Sequence, residues 1–410
     1  MPPFDVTAVR ARFPALARSE SGRPVAYLDG PGGTQVPVEV IEAMSHRLRV
    51  GTSNTGGFFG ASREADAVLT AAREAGADLL GGSPEEVAFG QNMTSLTFSL
   101  SRALARWWGP GDEVVVTRLD HDANVTPWRA AAAERGAVVR VADFDPADGT
   151  LGLGHLESLL GPRTRLLAVT AASNALGTVP PVRRAADLAH AAGALVFVDA
   201  VHYAPHRRVD VAALGADFLA CSAYKFFGPH TGVLWGRAGL LESLEAFKVV
   251  PAPSHGPGKW ETGTPSFESI AGVAAAVDYL ASLGEGTARR ERLTAAMAAI
   301  RSYEESLASR FLAGVAAMPH VRLYGLGDPA RLAERTPTFS LEVAGLHPDE
   351  ASRRLGEQGV HTWSGDYYAV GVMERLGVAE RGGLVRVGFV HYTTAEEVDR
   401  VLEALAGLAG

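Results

Sequence analysis

The sequence predicts an α/β fold, with a large domain on a mostly parallel sheet and a smaller α+β C-terminal domain. Three features point to it. Between residues 87 and 235, short apolar runs of strand length alternate with stretches of helical spacing. Runs such as Leu195-Val196-Phe197-Val198 are apolar at every residue, as in strands covered on both faces. Polar clusters follow the runs at their C-terminal ends, the edge where open α/β sheets hold ligands. A chain of 410 residues is also long for one compact domain.

The elements follow in order. Residues 4–19 have the spacing of an amphipathic helix, with Phe4, Val6, Val9, Phe13 and Leu16 on one side. They form an N-terminal segment, 1–20, expected to pack on the small domain. The large domain spans 21–268. It opens with a turn-rich loop at 30–34, a helix at 37–50, an aromatic-bearing loop at 54–60 and a helix at 62–80. A strand at 87–89 leads through a polar loop into a helix ending at Trp107. Strand 113–117 ends near Asp120-His121-Asp122-Ala123-Asn124. Helix 127–135, strand 137–142, helix 154–160, strand 165–170 and helix 182–192 bring the chain to Leu195. After two further strands, a linking helical region from 269 to 317 breaks around Gly284-Glu285-Gly286. The small domain, to residue 410, has strands at 337–343 and 384–390 and helices at 348–358 and 395–408.

Composition removes several classes of function. The net charge is −8 and the arginines are scattered, whereas a nucleic-acid binder needs a basic face. The one cysteine, Cys221, lies in an apolar run, which rules out a disulfide framework and a Cys-rich zinc site. No metal-ligand set is assigned. There is no apolar run of about 18 residues, the length of a membrane span. The N-terminus lacks a basic patch followed by an apolar core. A soluble, cytoplasmic protein is expected.

The chemistry concentrates between Leu195 and Arg237. A carboxylate, Asp199, ends one apolar run, and a second run at 218–221 ends in Ser222-Ala223-Tyr224-Lys225. Of the chain's 38 basic side chains, only Lys225, Lys248 and Lys259 are lysines. Arginine remains protonated and cannot form an imine. A lysine between apolar and aromatic neighbours can be held as a neutral, nucleophilic amine; a surface lysine is the plain alternative. Asp199 at a neighbouring strand tip favours amine chemistry, because an acid for a pyridine nitrogen and a lysine for an aldehyde suit pyridoxal 5′-phosphate. The loop before the helix at 93 can likewise be an ordinary N-cap, or an anion site made of free N–H groups and the hydroxyls of Thr94 and Ser95.

The stretch resembles the class V aminotransferase family, most closely its cysteine desulfurase branch. Asp199-Ala200-Val201-His202 matches the family's Asp-x-x-(Gln/His), and Ser222-Ala223-Tyr224-Lys225 its Ser-x-(His/Tyr)-Lys. Asp120 to Trp128, DHDANVTPW, is similar to Glu-His-x-Ala-Asn-x-x-Pro-Trp. Ser173-Asn174-Ala175-Leu176-Gly177-Thr178 is similar to Ser-Asn-x-x-Gly-Thr, and the segment from Arg386 to the family's closing motif. The resemblance implies the pyridoxal-phosphate fold type I and assigns roles. Lys225 would bond the cofactor aldehyde, Asp199 would hold the pyridine nitrogen, and His121 would stack on the ring. Asn174 would bind the phenolic oxygen, and Met93 and Thr94 the phosphate, with His202, Ser222 and Tyr224 also at the cofactor. Arg386 would fork onto the α-carboxylate of a small amino-acid substrate, with Thr34, Asn54 and Tyr368 at the substrate entrance. Gly263-Thr264-Pro265 resembles a turn whose threonine reaches the phosphate in the neighbouring subunit, implying a homodimer with shared sites. The chain departs from the branch at 362–368, which carries no cysteine. Tyr368 stands in the nucleophile's place, and Trp363 in that of a second substrate arginine. A desulfurase-like or C–S lyase reaction is expected. An aminotransferase, an epimerase of the isopenicillin N type and a non-catalytic binding protein are the alternatives.

Overall fold

The computed structural model describes residues 4–20 and 22–409; residues 1–3, 21 and 410 of the expected segments lie outside it. Seven strands form the large sheet. They are β1 (Val87–Gly90), β2 (Glu113–Thr117), β3 (Val138–Ala142), β4 (Thr164–Thr170), β5 (Leu195–Asp199), β6 (Phe218–Ser222) and β7 (Gly232–Gly236). Their order across the sheet is β1-β7-β6-β5-β4-β2-β3. Only β7 runs against its neighbours, β1 and β6. The connection from β6 to β7 is too short for the helical crossover that a parallel pair requires. The central strands β6 and β7 are buried at every residue, matching their uninterrupted apolar sequences. At the edge, β3 alternates and leaves Val138 43 % exposed.

The helices include α1 (Val38–Val50), α2 (Gly60–Leu80), α3 (Met93–Ala105), α4 (Phe267–Ala281) and α5 (Arg289–Ala316). The break between α4 and α5 falls at the expected glycines. A second, antiparallel sheet joins β8 (Val321–Tyr324), β9 (Thr338–Val343), β10 (Trp363–Gly365) and β11 (Leu384–Gly388) in the order β8-β9-β11-β10. Its core collects Phe311, Phe339, Leu341, Val385, Val387 and Phe389. Ala26 and Leu28 belong to the same core, because Ala26–Tyr27 pairs with Val360–His361 and Asp29 bridges Gly388.

One expectation is corrected. Residues 4–19 do not form one helix: Val6–Arg10 is α-helical, Phe13 is extended, and Pro14–Ala17 makes a 3₁₀ turn. Pro14 accounts for the break, since the residue before a proline is pushed out of the helical region. Strands β8 and β10 and the helix Val370–Leu376 are additions the apolar pattern did not reveal; all are short.

Two contacts bring the sheets to one site. At Gly177 (φ +75°), a Cβ would stand 2.6 Å from the Thr338 carbonyl, so only glycine lets the loop after β4 lie against β9. Phe13 is the other. Its ring packs edge-on against Phe227, Tyr279 and Tyr392 at 5.0–6.0 Å. Phe13→Ala should cost about 3–5 kcal/mol, the usual loss for a buried phenylalanine. Urea denaturation checks this; an unchanged midpoint and slope would show that the contact is dispensable.

Candidate active site

A cavity of about 1240 Å³ opens at the C-terminal ends of β4, β5 and β6. Met93, Thr94, His121, Asn174, Asp199, His202, Ser222, Tyr224, Lys225, Tyr368 and Arg386 all line it. Most of these residues, far apart in the chain, meet because they end a strand of the large sheet or begin the segment after one, whereas Arg386 reaches in from the middle of β11.

Lys225 follows β6 in a 3₁₀ turn at Ala223–Lys225. Its ammonium donates to the Pro31 carbonyl and lies 4.9 Å from the centre of the Tyr224 ring. Burial, reinforced by the Arg386 guanidinium, lowers its pKa to about 7 against the opposing pull of Asp199 and Asp29. Asp199 shows the converse: burial raises its carboxyl to about 6. One oxygen, Oδ1, accepts from Val201 N–H at 2.9 Å.

The ring of His121 is also fixed. Its Nδ1 accepts the Ala123 N–H at 3.0 Å, which leaves the proton of the neutral ring on Nε2. Burial, then the charges of Lys225 and Arg386, lower its pKa to about 4, so the ring is neutral near pH 7. Behind it, Asp120 accepts from Thr117 and Asn124, and Asn124 accepts from the Trp128 indole at 2.9 Å. On its outer side, Tyr368 stacks at 5.3 Å with an interplanar angle of 20°.

Arg386, on β11, donates to the Asn174 carbonyl at 3.0 Å and packs over the Tyr367 ring at 4.3 Å. Burial lowers its pKa to about 10, so it stays a cation at neutral pH. Its Nε is buried without a partner, as is the side-chain oxygen of Asn174, whose amide donates to Tyr367 O at 2.9 Å. Both residues line the cavity, where a bound ligand would satisfy these atoms. At the start of α3, Ser222 Oγ accepts the Met93 N–H at 3.0 Å and Asn92 accepts the Ser95 N–H and hydroxyl. The Thr94 N–H, at the positive helix end, has no hydrogen-bond partner among the described residues.

Three expected residues lie elsewhere. Thr34 does not line the cavity: its hydroxyl donates to Tyr224 O at 3.0 Å and accepts from Phe227 N–H at 2.9 Å, latching the lysine turn. Asn54 and Thr264 are exposed and also outside the cavity of this chain. His202 lines the cavity, but its Nε2 is engaged by the Thr338 and Thr336 hydroxyls at 2.9 and 3.2 Å. Two residues that the sequence did not single out join the site. They are Tyr367, which covers Arg386, and His230, which stacks on Tyr224 at 4.8 Å. The adjacent aromatics Tyr367-Tyr368 were a visible signal for the first; His230 had none beyond its nearness to Lys225.

This arrangement is that of a fold type I enzyme site. The family description Aminotransferase class-V matches residues 26–401, and the chain belongs to that family of pyridoxal-phosphate enzymes. It is 34 % identical over 421 residues to a cysteine desulfurase of Klebsiella pneumoniae, covering 98 % of each chain. It is 35 % identical over 408 residues to an uncharacterized protein of Mycobacterium tuberculosis, covering 99 % of each. Among solved structures, an apo cysteine desulfurase of Thermococcus onnurineus superposes with a TM-score of 0.88 at 28 % identity, over 98 % of this chain and 97 % of the other. A cysteine desulfurase of Escherichia coli gives 0.85 at 28 % identity, over 99 % and 98 %. The chain is a pyridoxal-phosphate-dependent, cysteine desulfurase-like enzyme, and the alternatives of transamination, epimerisation and a non-catalytic binder are not favoured.

The residues fit the cofactor: an amine of low pKa, a buried acid, a neutral ring, an open amide oxygen and a free helix amide converge on one space. The amine bonds an aldehyde only when neutral, so cofactor uptake by apoprotein should accelerate as pH rises through about 7 and then level off. Removing the repelling charge in Arg386→Gln should move that midpoint upward. Stopped-flow absorbance checks both; a midpoint near that of an ordinary lysine, about 10, would contradict the buried amine.

Proposed function

We propose that the enzyme cleaves the bond from Cβ to sulfur in an amino-acid substrate without a persulfide on the loop at 362–368. The observation that carries this is a cavity holding Lys225, Asp199 and Arg386 but no thiol. Cys221 is fully buried in β6, where burial and then Asp199 push its thiol well up, away from the reactive thiolate. Tyr368 occupies the corresponding place in the loop.

The chain's groups divide the work. Arg386 presents an open Nε and a planar fork for the α-carboxylate. Lys225, with its pKa near 7, takes the Cα proton and can pass a proton to the departing sulfur. Asp199 would hold the pyridine nitrogen, His121 would cover a ring face, Asn174 would meet the phenolic oxygen, and Thr94 with the start of α3 would hold the phosphate. Pyridoxal 5′-phosphate supplies the aldehyde and an electron-withdrawing ring that stabilises negative charge at Cα.

Two copies would complete the site. Phe58 is 99 % exposed and Val250 93 % exposed, and Thr264 is exposed too. Large apolar groups left in water in this way support a homodimer in which Thr264 and the 54–60 loop serve the partner's site.

A panel of L-amino acids, followed for sulfide or thiol, keto acid, alanine and inverted substrate, tests the reaction. Thiol or sulfide together with pyruvate and ammonia is expected. Cys221→Ser should keep most of the turnover, whereas Lys225→Ala should lose roughly 10²–10⁴-fold, the usual value of a positioned base. A trapped persulfide on Cys221, with activity lost in folded Cys221→Ser, would overturn the proposal.

A further inference from the structure

Trp363 and Arg386 stand directly opposite each other on β10 and β11. Opposed residues of an antiparallel pair leave the same face of the sheet, with Cβ atoms about 4.5–5.5 Å apart. Both side chains line the cavity, so a carboxylate held by Arg386 would share that space with the indole. Trp363 is seated from behind: its Nε1 is 2.5 Å from where a Cβ on Gly32 would stand, so the ring rests against the Gly32 backbone. Its other side is open, and the residue is 54 % exposed although it lines the cavity. Tyr368, 69 % exposed, and the partly buried Phe98 line the same cavity.

Charge points the same way. Among the described residues, Lys225 and Arg386 are the only lysine or arginine side chains lining the cavity. Lys225 is committed to amine chemistry, which leaves one cation for one carboxylate. The acidic groups at the mouth, Asp122 and Asp366, repel a second.

We infer that the site selects α-amino acids with a bulky, uncharged aromatic side chain, and that Trp363 is the residue that reads it. The inference rests on Arg386 as the carboxylate site in the function proposed above. For C–S cleavage, such a substrate is a cysteine carrying an aromatic group on sulfur. The Cβ–S bond breaks with its electron pair going to sulfur, which takes one proton and leaves as a thiol, while the remaining three-carbon unit is hydrolysed to pyruvate and ammonia.

Carboxylates without an amino group probe the pocket without reacting. Calorimetric titration of the cofactor-loaded protein with 3-phenylpropanoate, propanoate and succinate gives three dissociation constants. 3-Phenylpropanoate should bind about 10-fold tighter than propanoate, a gain expected when an apolar group of that size leaves water. Succinate should bind no tighter than propanoate. In Trp363→Ala the aromatic preference should shrink to below about threefold as that burial is lost, and Trp363→Arg should transfer the preference to succinate. Equal binding of all three, or a preference unchanged in Trp363→Ala with native circular dichroism, overturns the inference and leaves the proposed reaction standing. Failure of every carboxylate to bind removes Arg386 as the anchor and overturns both.

Discussion

Lys225 and Asp199 share a cavity that water solvates poorly, and the rest of the site follows from that constraint. Burial pulls the lysine down to about 7 and the acid up to about 6, so each is poised close to neutral pH. Burial is the main cause of both shifts; β5 and β6, apolar along their length, deliver both groups to the same dry edge. Arg386 belongs to the same balance. It is buried too, and its charge helps lower the pKa of both Lys225 and His121.

Holding these groups requires backbone that an ordinary sequence avoids. Phe227, Tyr367 and Tyr368 all have positive φ, at 69°, 55° and 58°. Bulky residues in that region are strained, and they persist only where their surroundings fix them. Phe227 is fixed by Phe13, Tyr279, Tyr392 and His391, the last at 4.3 Å, and by the Thr34 hydroxyl on its N–H. Tyr367 is fixed by its hydroxyl bond to Leu384 O and by the Arg386 guanidinium. Tyr368 O accepts the Asp122 N–H at 2.7 Å, which ties the loop to the segment carrying His121.

Much of this was legible in the sequence. The uninterrupted runs at β4, β5 and β6 announced a doubly covered sheet, and the polar residues after them announced the site. What escaped depended on contacts between distant segments. Thr34 looked like part of a substrate entrance because a glycine-rich loop does not disclose that its hydroxyl will latch Tyr224 and Phe227. The pairing of Trp363 with Arg386 depends on the register of β10, a three-residue strand too short to show a period. The expected helix at 4–19 failed for a local reason that was in view, Pro14.

The central claim is that one buried amine anchors the cofactor, and borohydride reduction followed by peptide mass spectrometry tests it most directly. Reduction of the cofactor-loaded protein should fix a pyridoxyl group on Lys225, with none on Lys248 or Lys259. A pyridoxyl group on either of those lysines, or none at all in protein that carries the cofactor in equal amount, would contradict the account.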